Sequence, residues 1–178
     1  ARRSIDADYL MQHIHGLRTV ETIARVAQHL DVEAEVAELE AEEICTLHGI
    51  TRIPGAAELL AALDARGQRW GVVTSAPRRL ALAKIAEVDL PEPQLLICAE
   101  DVADGKPHPA PYLAAATQIG CAPGRLVAIE DAPAGVASAK SAGMTVIALR
   151  TTHADAALTE ADFIVDDLRN LLASSRIA

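Results

Sequence analysis

After Ile53-Pro54-Gly55 the chain alternates short apolar runs with helix-length stretches, and this alternation limits the available folds more than any other feature. The runs are Trp70–Thr74, Leu95–Cys98, Leu126–Ile129, Thr145–Leu149 and Phe163–Val165. Between and before them the spacing predicts helices over Ala56–Ala65, Arg78–Glu87, Pro111–Ile119 and Ala134–Ala142. Gly67 closes the first of these and Gly143 the last, as C-terminal caps do. The runs are continuously apolar, so each is expected to be a strand buried on both faces. Strands of that kind joined through helices form a parallel sheet with helices on both sides, an α/β architecture. Open parallel sheets bind ligands beyond the carboxyl ends of their strands. The residues that close each run are therefore the first candidates for chemistry.

The first third follows another rule. From Asp6 to about Leu47 there is no proline, and the only glycine is Gly16. Ile23, Val26, Ala27 and Leu30 recur at the three- and four-residue spacing of one helical face. Residues 31–43 carry seven acids and no base, with Val32, Val36 and Leu39 between them, which reads as a solvated helix face. The expected division is a helical unit over 1–50 and an α/β unit over 51–178.

Composition removes several function classes. The 178 residues suit one domain, or one domain with a small insertion. Aromatics make up 2%, too few for the stacking platforms of a single-strand nucleic-acid binder. A net charge of −9 disfavours attraction to nucleic acid or anionic lipid. No apolar run is long enough to span a bilayer, and the N-terminus lacks signal-peptide character. Cys45, Cys98 and Cys121 form no Cys-x-x-Cys motif, and three reduced, mostly buried thiols are expected. Together these features point to a cytoplasmic protein without a nucleic-acid or membrane partner; a monomer or weak homodimer is expected, though no residue pattern specifies it.

Three strand ends are chemically loaded. Val73-Thr74-Ser75-Ala76-Pro77 places two hydroxyls after a buried run, just before a helix. Hydroxyl, backbone N–H groups and helix N-terminus together can hold a phosphate oxyanion, and the bland alternative is Ser75 as a helix cap. In Gly105-Lys106-Pro107-His108-Pro109 a lysine is fenced by residues that restrict its loop. Such a lysine can set its charge against a phosphoryl group or a carboxylate; the alternative is an exposed loop lysine, and His108 reads as a turn residue. Glu130-Asp131 closes the run Leu126–Ile129, with Pro133 and Gly135 just beyond. One carboxylate could bind magnesium while the other orients it, and the alternative is Asp131 capping a helix.

In order and spacing these three strings resemble the haloacid dehalogenase superfamily of phosphohydrolases. Thr74 matches that family's second motif, Lys106 its third and Glu130-Asp131 its fourth. The strings Gly105–Pro109 and Ile129–Gly135 are typical of its phosphatase and phosphomutase branch with a helical cap. The resemblance implies a Rossmann-like parallel core with an α-helical cap, and a magnesium-dependent phosphatase acting on a small sugar or polyol phosphate. It implies that Asp131 binds magnesium with Glu130 in support, that Lys106 and Thr74 are catalytic, and that Thr74, Ser75 and Lys106 hold phosphate. His15, Gly16, Arg18 and Thr19 match the cap's substrate-facing loop. The end from Thr151-Thr152-His153 to Val165 is also similar to that group. In such enzymes an aspartate attacks phosphorus, and water hydrolyses the resulting aspartyl-phosphate. That aspartate opens an Asp-x-Asp-Gly-Thr string on a first strand, and the string does not occur here; Asp6-Ala7-Asp8 follows no apolar run. By the resemblance, that strand lies between Trp70–Thr74 and Leu126–Ile129, so its absence separates them by roughly 9–10 Å. The rival readings are a hexose-phosphate mutase of the same family and a non-catalytic or truncated phosphate-binding protein.

Overall fold

The computed structural model describes residues 14–172. The expectations for residues 1–13 lie outside them. Two helices come first, α1 (Thr19–Val26) and α2 (Val32–Cys45), and then α3 (Ala56–Ala65). The remainder runs β1 (Val72–Val73), α4 (Arg78–Glu87), β2 (Leu96–Ile97), α5 (Ala110–Ile119), β3 (Val127–Glu130), α6 (Pro133–Ser141), β4 (Thr145–Leu149), β5 (Phe163–Val165) and α7 (Arg169–Leu172). All five expected strands are present, and every pairing among them is parallel.

They do not form one sheet. β1 pairs with β2, while β3, β4 and β5 form a separate sheet in that order. Val72 and Thr74 donate their N–H groups to the carbonyls of Leu95, just before β2, and Ile97 within it, so the backbone of Val73 faces the other way. No strand among the described residues pairs with that edge of β1 or with the outer edge of β3. Val127 is half exposed there, against the burial on both faces that its apolar run predicts.

Helix α5 ties the two sheets together. Ala115 packs with Leu95 and Ile97 on the β2 side. Tyr112 and Ala116, a helical turn apart, join Ala128, Val146 and Ala148 of the other sheet, with Val136 and Ala139 of α6. Ile147 faces the opposite way and packs with Leu59 of α3 and Leu171 of α7. This alternation along β4 gives its sheet a buried layer on each face.

The acidic helix α2 buries no side chain, as its charge pattern predicts. It is joined to α4 by an ion pair between Glu43 and Lys84 at 2.7 Å. Of the cysteines, Cys98 is buried, Cys121 half-buried and Cys45 exposed, so only one fits the expectation of buried thiols. No helix among the described residues is long and apolar enough to cross a membrane.

Candidate active site

A cleft of about 930 Å³ opens where β1, β3 and β4 end, and α1 and α2 form its opposite wall. Thr74, Ser75, Lys106, Glu130, Asp131 and Thr151 line it from below, and His15, Gly16 and Thr19 from above. The fold thus brings the three sequence strings together, although they stand 25 to 57 residues apart in the chain.

Side-chain alternation explains how the adjacent acids divide their work. Glu130, the last residue of β3, points to the same buried face as Ala128, and Asp131 lies past the strand end. The Glu130 carboxylate accepts from both Lys106 Nζ and the Tyr112 hydroxyl, at the one oxygen Oε1. The Lys106–Glu130 pair is almost fully buried, with side-chain exposures of 6% and 8%. Gly135 makes room for it, since a Cβ there would collide with the carboxylate. Lys106 Nζ also donates to the Val73 carbonyl at 3.0 Å. One lysine therefore links the free backbone edge of β1 to a side chain at the end of β3. Burial, and then the charge of Glu130, push the Tyr112 phenol well above its ordinary pKa and keep it an O–H donor.

Asp131 is braced from the loop after β4. Thr151 donates to Oδ2 at 3.2 Å, and the single hydroxyl proton of Thr152 is shared between Oδ2 at 2.8 Å and the Asp131 carbonyl at 3.0 Å. Among the described residues Oδ1 has no hydrogen bond. Asp131 does not cap α6, whose N-cap is Ala132. A magnesium ion takes one or two protein carboxylates and fills its remaining positions with phosphate oxygens and water. A fixed aspartate with one free oxygen fits that demand, whereas Glu130 is engaged by Lys106 and Tyr112. No group of three or more metal-ligating side chains occurs among the described residues.

Thr74 Oγ1 accepts the N–H of Ala76 at 3.1 Å, which leaves its hydroxyl proton for a ligand. Ser75 does not cap α4, since that N-cap is Pro77. Its hydroxyl donates instead to the Gly16 carbonyl at 2.7 Å and so ties the turn before α1 to the strand end. Gly16 needs its φ of +83° and a close approach, because a Cβ would stand 3.0 Å from that of Ala132. The His15 ring meets His153 edge-on at 5.2 Å, and its Nδ1 is buried with no partner in the described residues. The Arg18 guanidinium binds Glu21 and the carbonyls of Val102 and Ala103, at 3.3 and 3.1 Å. It is thus fastened to the segment that leads into Lys106. Thr19 opens α1 on the cleft wall. His108 is a turn residue, its Nδ1 accepting from Ala110 N at 3.2 Å.

Sequence reasoning missed Tyr112, which helical spacing marks only as a core aromatic. It also gave no role to Thr151 and Thr152, although hydroxyls directly after a buried run stand at the predicted ligand edge.

A model of the haloacid dehalogenase-like hydrolase family matches residues 3–143. Hexitol phosphatase A of Escherichia coli (strain K12) is 34% identical over 178 residues, which cover 98% of this chain and 82% of that protein. Glycerol-1-phosphate phosphohydrolase 2 of Saccharomyces cerevisiae is 38% identical over 157 residues, covering 83% of this chain but only 62% of the yeast protein. In three dimensions, a hydrolase from Pseudomonas syringae matches with a TM-score of 0.84 at 24% identity, over 94% of this chain and 82% of that one. At that identity the likeness speaks for the fold alone.

Proposed function

The chain belongs to the haloacid dehalogenase-like hydrolases, and from that premise we propose that it carries the phosphate and metal side of a magnesium-dependent phosphatase for a small sugar or polyol phosphate. The observation that carries this reading is the meeting of Lys106, Thr74 and Asp131 at one cleft wall. Similarity to a hexitol phosphatase and a glycerol phosphate phosphohydrolase supports the substrate class.

In this reading residues 1–50 are the cap and 51–178 the core. Magnesium, when bound, would be held by Asp131 and would neutralise phosphate charge. Lys106 offers an ammonium N–H and Thr74 a hydroxyl to phosphate oxygens, at the end of β1 where α4 begins. Glu130 holds Lys106 and keeps its charge balanced inside the protein. His15 and Thr19 contact the sugar or polyol from the cap, and Gly16 and Ser75 clamp the turn that presents them.

The attacking carboxylate of such a hydrolase sits on a strand ending Asp-x-Asp-Gly-Thr, and these 178 residues contain no such string. The unpaired edges of β1 and β3 support a place for that strand between them. The reading is tested by assaying hexitol and glycerol phosphates with magnesium, using the 178-residue chain and the same chain extended by that strand. Phosphate release is expected only from the extended protein. Saturable release by the 178 residues alone, lost on Lys106→Ala, would overturn the assignment of the nucleophile. No release from either would overturn the phosphatase reading.

A further inference from the structure

We propose that Tyr112 is a positioning residue: its buried hydroxyl fixes the Glu130 carboxylate, so that Lys106 presents one N–H to the cleft in a single orientation. This rests on reading Lys106 as the phosphate-facing cation.

The argument begins with donors. An ammonium group has three N–H bonds. Lys106 directs one to the Val73 carbonyl and a second to Glu130 Oε1. The third has no partner among the described residues, and Lys106 lines the cleft. Its direction is determined by the other two. The Val73 carbonyl is held by strand geometry, but a carboxylate can rotate about its own bond. Two features stop Glu130 from doing so. Tyr112 donates to the same oxygen that Lys106 uses, and the other oxygen fills the space that a Cβ on residue 135 would take, beside Gly135. The Tyr112 ring adds a further restraint, its centroid lying 5.2 Å from Lys106 Nζ, within cation–π range. Tyr112 is set in turn by α5, packed between the two sheets. Rigidity of that helix is thereby passed through a hydroxyl and a carboxylate to the cation.

The chain has three lysines, Lys84, Lys106 and Lys140, so a spectrum of the protein labelled with 13C-lysine resolves each one. A fixed Lys106 side chain gives two non-equivalent Hε protons. Tyr112→Phe keeps the ring and removes only the hydroxyl. It is expected to merge that pair of signals, to leave Lys84 and Lys140 unchanged, and to weaken inorganic phosphate binding about three- to tenfold, the size of one lost hydrogen bond. In a Glu130→Gln background the same change should alter phosphate binding less than about twofold, since it acts through Glu130. Val146→Ala, a cavity in the same core that touches none of the Tyr112, Glu130 and Lys106 hydrogen bonds, should lower the melting temperature without moving the Lys106 signals.

A Tyr112→Phe protein that melts lower yet keeps wild-type Lys106 signals would overturn the inference. If Lys106→Met abolishes phosphate binding while Tyr112→Phe leaves it intact, the inference fails and the proposed function stands. If the wild-type chain and Lys106→Met bind phosphate equally poorly, the proposed function fails, and the Lys106 signals still decide the role of Tyr112. Should Tyr112→Phe not fold, Glu130→Gln tests the same link: merged Lys106 signals support it and an unchanged pair overturns it.

Discussion

Gly135→Ala should destabilise this protein, although helix propensity alone predicts the reverse. Gly135 lies inside α6, where alanine is ordinarily preferred by about 1 kcal/mol. A Cβ at this position, however, would occupy the space of the Glu130 carboxylate. The carboxylate must then move, and it accepts from both Lys106 and Tyr112. Hydrogen bonds to charged groups contribute about 1.5–3 kcal/mol each. Losing two costs roughly 3–6 kcal/mol, and the gain in propensity offsets about 1 of that. If the helix yields slightly and one bond survives, the loss falls to about 0.5–2 kcal/mol. With both bonds lost the net expectation is a destabilisation of about 2–5 kcal/mol, or roughly 4–20 °C for a domain of this size. Gly124→Ala is the control, since its Cβ would meet nothing closer than 3.7 Å; it should change stability by less than about 0.5 kcal/mol. Urea unfolding of the two variants beside the wild type decides the matter. A Gly135→Ala protein as stable as the wild type, or more so, would refute the claim that this glycine exists to seat Glu130.

Three further expectations follow from named contacts. In protein supplied with the nucleophile strand, Asp131→Asn should abolish magnesium-dependent phosphate release, and it should remove manganese binding seen by electron paramagnetic resonance; retention of both would take Asp131 out of the site. Arg18→Ala should cost about 1–2 kcal/mol, through its lost bonds to Glu21, Val102 and Ala103, and should raise the rate of proteolysis within residues 102–109; an unchanged rate would show that the cap does not restrain this loop. Asp162 is held below the usual carboxylate range, first by Lys140 and then by the Val146 N–H, and Asp101 first by the Cys98 N–H and then by Arg78. A depressed folded pKa gives stability that is present above the unfolded value, about 3.9, and lost as pH falls through the folded one. Stability should therefore hold from neutral pH to about 5 and fall below 4, and Asp162→Asn should flatten that acid limb in pH-dependent unfolding.

Local sequence determined a good part of this protein. Helices Ala56–Ala65 and Arg78–Glu87 and strands Thr145–Leu149 and Phe163–Val165 lie where periodicity and caps place them. Other expected elements are displaced at their ends, because hydrogen-bonding partners rather than composition determine where pairing stops. Trp70–Thr74 shortens to Val72–Val73, since β2 reaches only Leu96–Ile97 beside it. The site's residue types were legible too: acids and hydroxyls that close apolar runs, and a lysine fenced by glycine and prolines, stand at the edge where such sheets bind ligands. What the local pattern leaves undetermined is which groups meet. Glu130 and Asp131 are neighbours in the chain, yet strand alternation sends one into the core against Tyr112 and Lys106 and leaves the other at the cleft, braced by Thr151 and Thr152. Arg18 carries the same charge in any reading of the sequence, but the packing of α1 over residues 102–105 turns it to backbone carbonyls. A side chain's identity fixes what it can bind. Its partners are chosen by contacts between segments many residues apart, and only the packed chain brings those together.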